Sequence, residues 1–244
     1  GFKWAFFISF INFLTQTFEG YAFSNIKMLQ HINVGHAEPM AIFIILLSII
    51  IFIKVTDSNN SNNSSKYYNF LFGFLLFLSV SLRPNYFPTT FVFIIMLIIY
   101  NFFYHNRFLP SFFAIFGYIL ILLIPFHNYF YGNSFVLFSS GAIHNTGVSL
   151  EMYKNVVLDL LSLKYNQDIK VIFHQIVIWI KPKEFHYIFS FIVLLTMLFL
   201  KNRYIIKTIC LLALSQHCVL LIFEPTNRYA YLAWILTIII NIFF

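Results

Sequence analysis

Charge is what this chain has least of. Only 9% of its 244 residues are Asp, Glu, Lys or Arg, against about a quarter in soluble globular domains, and that scarcity excludes an ordinary water-soluble domain. Acids are scarcer than bases, with 8 Asp and Glu against 15 Lys and Arg for a net charge of +7. The two cysteines, Cys210 and Cys218, lie eight residues apart in one apolar run. With no His or Cys partner at ligand spacing, they fit small buried hydrophobes rather than a disulfide framework or a thiolate metal site. Eight Gly and seven Pro are too few for a repeat or low-complexity protein. No charged segment followed by a small-residue cleavage site argues for a signal peptide. The sequence opens at Gly1, enters an apolar run at once and stops inside another at Phe244; it is expected to be a fragment.

What is present is apolar surface: 60% of the residues are hydrophobic and 34 are Phe. Runs long enough to span, or nearly span, a hydrocarbon core of about 30 Å fall at 2–18, 39–55, 68–82, 88–103, 110–126, 187–200, 204–223 and 229–244. The expected fold class is an all-α polytopic membrane protein of about eight transmembrane helices, a single transmembrane domain over 1–244 with an extracytoplasmic loop at 126–186. The segments 21–38 and 156–180 are too polar to span yet carry apolar stripes. The first is expected to be one interfacial helix and the second two, separated by a charged hinge at 164–170, with Trp179 at headgroup depth.

Alternating the sides of these spans places Lys3, Lys54, Lys66, Arg107, Lys201, Arg203 and Lys207 together, with Asp57 as their only acid. By the positive-inside rule that side is cytoplasmic. The basic residues therefore sit where membrane topology wants them, which excludes nucleic acid as the reason for the positive charge. The chemically unusual residues then gather on the opposite side, among them His36, Glu38, Arg83, Asn85, His127, Asn128, Glu224 and Arg228.

Three turns on that side share a design, an ionisable group beside proline at a helix boundary: His36-Ala37-Glu38-Pro39, Arg83-Pro84-Asn85, and Glu224-Pro225-Thr226-Asn227-Arg228-Tyr229. A guanidinium at mid-bilayer costs about 3 kcal/mol even on a lenient scale, so Arg83 belongs at a boundary or in a protein-lined cavity. Pro84 disfavours helix at Arg83 and Pro88 suits the opening of the next helix, so the elbow is rigid. Arginine matches phosphate oxygens with a planar fork of donors, and a carboxylate at the same depth can orient a hydroxyl. Interfacial charges that merely snorkel from helix ends are the plainer explanation. No pair of histidines has i, i+4 spacing on a clear helix, so no metal site is expected. His217, inside a span, is assigned to helix packing.

In order, these residues resemble a GT-C type membrane glycosyltransferase, of the polyprenyl-phosphate-sugar dependent kind similar to glycosyltransferase family 39. His36-Ala37-Glu38-Pro39-Met40 resembles the acidic residue that opens a transmembrane helix in that family, and Gly73 to Pro84 resembles its Gly-containing helix ending in Leu-Arg-Pro. Pro125, Asn128-Tyr129, Tyr131-Gly132 and Ser139-Ser140-Gly141 follow the later pattern, with His127 where Arg is usual and Ala142 where a second Gly is usual. Asn227-Arg228-Tyr229 resembles the Arg-Tyr that opens a late helix. The resemblance covers about residues 30–244. It implies an inverting glycosyl transfer from a polyprenyl-phosphate-linked sugar donor to a lipid, glycan or protein hydroxyl, outside the cytoplasm, in a bacterial inner membrane. Glu38 would be an auxiliary carboxylate, His36, Arg83, Asn85, Asn128, Arg228 and Tyr229 would bind substrate, and the main base would lie upstream of Gly1. No cofactor is implied, and a divalent metal requirement stays open.

Two other readings compete. An envelope polysaccharide polymerase or ligase would carry essential Arg and His on a long outer loop, but 127–186 contains no Arg. A non-enzymatic transporter would need inverted repeats and ionisable groups near the midplane, and no internal self-similarity is present. The topology has a direct check. With both native cysteines replaced, single cysteines introduced as Ser81→Cys and Thr226→Cys should react with a membrane-impermeant maleimide from the same side; labelling from opposite sides removes the basis for a shared site.

Overall fold

The computed structural model describes residues 36–57, 62–104, 108–133 and 204–222, together with isolated positions between 155 and 162, 194 and 199, and 231 and 240. Among them there is helix and no strand. The helices are α1 (Glu38–Asp57), α2 (Asn62–Leu82), α3 (Phe87–Ile99), α4 (Leu109–Tyr118), α5 (Leu123–Gly132) and α6 (Tyr204–Ile222). Three helical runs are long and apolar enough to cross a membrane: Glu38–Thr56, Pro84–Phe103 and Leu109–Gly132. Lys66–Leu82 and Tyr204–Cys218 are shorter apolar helices. The span expected at 2–18 lies outside the described residues, as do most of that expected at 187–200, half of that expected at 229–244 and most of the expected interfacial helices.

The chain divides into two compact units, one of residues 27–138 with 203–208, the other of 1–26, 139–202 and 209–244. In the second, α6 buries Ile209, Cys210, Leu212, Ala213, Gln216 and His217. The first unit holds the functional turns. There α2 packs against both α1 and α4.

The α2–α4 contact depends on two missing side chains. A Cβ on Gly73 would stand 1.9 Å from the carbonyl oxygen of Ala114, and one on Gly117 would stand 2.4 Å from that of Phe70. Helices in lipid have no hydrophobic drive toward each other, so close backbone approach at small residues supplies much of their attraction. On the other flank of α2, Phe72 meets Phe93 of α3 edge-on, ring centroids 4.7 Å apart, and Phe93 meets Phe52 of α1 at 5.1 Å. All three rings are buried, and each such pair adds about 0.5–1.5 kcal/mol beyond its buried area.

Polarity is distributed inside out. Ser48, Ser79, Thr89, Thr90, Asn101 and Ser111 are buried, while Met40, Phe43 and Ile50 of α1 and Phe112, Phe116, Leu123 and Phe126 of α4–α5 point outward. The buried groups are satisfied locally or across helices. Ser48 donates to the Ile44 carbonyl at 2.9 Å, Thr90 and Tyr118 hydroxyls share a hydrogen bond of 2.9 Å, and Asn101 donates to Ser111 at 3.1 Å. An apolar exterior over a hydrogen-bonded interior suits a lipid surround.

Two irregularities have sequence causes of different clarity. The turn Ile119–Leu122 tightens between α4 and α5; Pro125 lacks an N–H and its ring crowds the carbonyl four residues back, that of Ile121. The wide turn Tyr100–Tyr104 ending the α3 run has no such marker. Beyond Pro125 the helix continues past Phe126, where the outer loop was expected to begin, and ends at Gly132. Asn133 stops it in the left-handed conformation, φ 50° and ψ 26°, donating its N–H to the Tyr129 carbonyl at 2.9 Å. Asparagine tolerates that conformation better than most residues, and the proline had not ended the helix because it falls within its first turn.

The glycine contact gives a measurable expectation. Gly73→Val should lower the stability of the detergent-solubilised protein by at least about 1–3 kcal/mol, the usual cost of overpacking, read as a drop in thermal midpoint, while Ser81→Ala on the exposed end of α2 should leave it unchanged.

Candidate functional site

Glu38 is the first residue of α1, with Pro39 beside it in the first turn. A carboxylate there is favoured by the partial positive charge of the helix N-terminus. Forty-five residues later α2 ends at the proline elbow. Arg83 donates its N–H to the Ser79 carbonyl at 3.0 Å and then leaves the helix, extended at φ −147° and ψ 100°, because Pro84 blocks the helical conformation in the residue before it. Pro84 opens a single tight turn to Tyr86, whose N–H bonds the Arg83 carbonyl at 3.1 Å, and α3 follows with Pro88 in its first turn. Antiparallel α1 and α2 thus bring the start of one to the end of the other.

There the Arg83 Nη2 donates to Glu38 Oε2. The Glu38 side chain is 3% exposed and that of Arg83 28%. His36 Nδ1 lies 3.9 Å from the same carboxylate oxygen, an ion pair only when the imidazole is protonated. The hydrogen bonding is incomplete. Glu38 Oε1, Arg83 Nε and the Asn85 side-chain nitrogen are buried without a hydrogen-bond partner. Leaving such a group unsatisfied costs about 1–3 kcal/mol, a cost that a polar ligand group would relieve.

The structure therefore brings together His36, Glu38 and Arg83, with Asn85 buried in the same elbow. Asn128 stands on a different element, half-buried in the last turn of α5, its carbonyl accepting from the Asn133 N–H. Arg228 and Tyr229 lie outside the described residues. No family model, curated protein or solved structure matches this chain.

Sequence reasoning placed Glu38 and Arg83 on one side of the membrane but did not foresee that they would pair directly. The signal was available, since opposite charges at the facing ends of consecutive antiparallel helices have a natural partner in each other. It also missed the matching tie at the other end of the same hairpin, where Lys54 Nζ donates to the Tyr68 hydroxyl at 2.7 Å and lies 4.3 Å from its ring centre. As for metals, His36 and Glu38 offer two donor side chains, and among the described residues no group of three or more His, Cys, Asp or Glu is arranged to hold an ion.

The pair has a thermodynamic signature. Arg83→Met should destabilise the protein by about 3 kcal/mol, the low end of the cost of stranding a buried charge because Arg83 is partly exposed. Glu38→Gln combined with Arg83→Met should cost less than the sum of the two single changes. Additive losses in a double-mutant cycle, measured by denaturant or thermal unfolding in detergent, would mean that the two groups do not interact.

Proposed function

We propose that the chain is the membrane-embedded part of a glycosyltransferase that moves a sugar from a polyprenyl-phosphate donor to a hydroxyl on a lipid, glycan or protein. The observation that carries this is the Glu38–Arg83 pair in a rigid proline elbow, its carboxylate buried, with one carboxylate oxygen, one guanidinium N–H and one carboxamide still seeking partners. Ionisable groups within membrane helices are rare and mark functional sites; a pair left incompletely hydrogen-bonded at a helix junction fits a site that closes on a ligand. The resemblance of the ordered motifs to GT-C enzymes supplies the reaction class.

In this reaction the acceptor hydroxyl oxygen attacks the anomeric carbon. The bond from that carbon to the phosphate oxygen breaks, its electrons leave with the polyprenyl phosphate, and the hydroxyl proton passes to a base. Cations near the leaving phosphate oppose its developing charge, a role for Arg228, while Arg83 contacts the donor beside Glu38. Glu38, His36, Asn85, Asn128 and Tyr229 complete the substrate contacts, Glu38 as an auxiliary carboxylate. The fold is a bundle of about eight spans in a bacterial inner membrane, with the site facing outward, where lipid-linked sugars are consumed.

Reconstituted into vesicles with a radiolabelled polyprenyl-phosphate sugar, the full-length protein should transfer label to acceptor. Arg83→Ala should abolish transfer while the amount of inserted protein stays the same, and Arg83→Lys, which keeps the charge and loses the planar fork, should reduce it at least about tenfold. Wild-type transfer by Arg83→Ala would refute the assignment.

A further inference from the structure

The three unpartnered atoms at the elbow are of mixed kind. Glu38 Oε1 is an acceptor, whereas Arg83 Nε and the Asn85 side-chain nitrogen are donors. An ionised carboxylate can only accept and a guanidinium can only donate, while a hydroxyl does both. The charges are also mixed. Arg83 is bonded to Glu38, a carboxylate 3% exposed, so the pair presents no net positive charge, and its open carboxylate oxygen would face any anion brought to the elbow. A phosphodiester carries a negative charge and, having no proton, offers nothing to Glu38 Oε1. A sugar ring edge offers hydroxyl protons to the carboxylate and hydroxyl lone pairs to the two N–H donors.

We infer that the elbow of Glu38, Arg83 and Asn85 holds hydroxyl groups of the transferred sugar, not the phosphate of the lipid carrier. This rests on the glycosyltransferase assignment and gives the site its ligand chemistry: a neutral polyhydroxylated ring read by a buried carboxylate and two N–H groups. The half-exposed side chains of His36 and Arg83 mark the side from which it enters. Phosphate binding then falls to cations elsewhere in the protein. Sites built to hydrogen-bond a hydroxyl discriminate strongly against ligands lacking it, because their buried groups are then left unpaired.

The test compares two probes on the full chain in nanodiscs: polyprenyl phosphate alone, and polyprenyl phosphate carrying a single hexose or pentose, each sugar tried in turn. In the wild type the best sugar-bearing lipid should bind at least about tenfold more tightly than the bare lipid phosphate. Glu38→Gln and, separately, Asn85→Ala should erase most of that increment while leaving the affinity for the bare lipid phosphate within about twofold, or raising it for Glu38→Gln. Asn85→Ala leaves the ion pair intact, so it keeps the test valid if Glu38→Gln folds poorly. If both variants weaken the two probes equally, the elbow is a phosphate site and the inference is overturned, while the glycosyltransferase assignment stands. An increment that is absent in the wild type, or unaffected by Asn85→Ala, in a protein that still transfers sugar likewise overturns the inference alone. If neither probe binds and no sugar is transferred, both fall.

Discussion

A carboxylate and a guanidinium that hold each other where two apolar helices meet are the constraint around which the described part of this protein is arranged. Either charge alone would be costly away from water. Together, at the start of α1 and the end of α2, they fasten the open end of a helical hairpin whose other end is tied by Lys54 and Tyr68. The proline elbow makes the pairing specific. Pro84 takes Arg83 out of the helix, so its side chain leaves from an extended residue with little freedom to point elsewhere.

Around that hairpin, the packing uses forces that survive in lipid. Where water would drive apolar faces together, lipid leaves only contact and hydrogen bonding. The protein supplies contact through Gly73 and Gly117, which let α2 and α4 touch backbone to backbone, and through the rings of Phe52, Phe72 and Phe93. It supplies hydrogen bonds through pairs such as Thr90 with Tyr118 and Asn101 with Ser111. A rigid bundle of this kind can carry an unsatisfied polar cluster at one end. Its packing elsewhere offsets the cost and keeps the cluster from relaxing to satisfy itself.

Among the described residues the helix breaks at the proline turns were legible in the sequence, and particular misses show where local signals stop. The starts near Glu38 and Pro88 and the break at Arg83 follow from proline chemistry, which is local and strong. The end of α5 was missed by six residues, because Pro125 and the polar pair His127-Asn128 suggest an ending while the stop is made at Asn133 by its left-handed conformation, which composition marks weakly. The wide turn at Tyr100–Tyr104 leaves no proline or glycine to announce it.

By itself the sequence determined the environment and the elbows: scarce charge and long apolar runs require lipid, and proline beside ionisable residues sets where helices break, since both effects act within a few residues. That Glu38 meets Arg83 across 45 positions, that Gly73 is needed against Ala114, and that three polar atoms at the elbow are left without partners were decided only by the tertiary structure. Each depends on which helix faces lie against each other, and that is settled by the packing of the whole bundle and not by any single segment of chain.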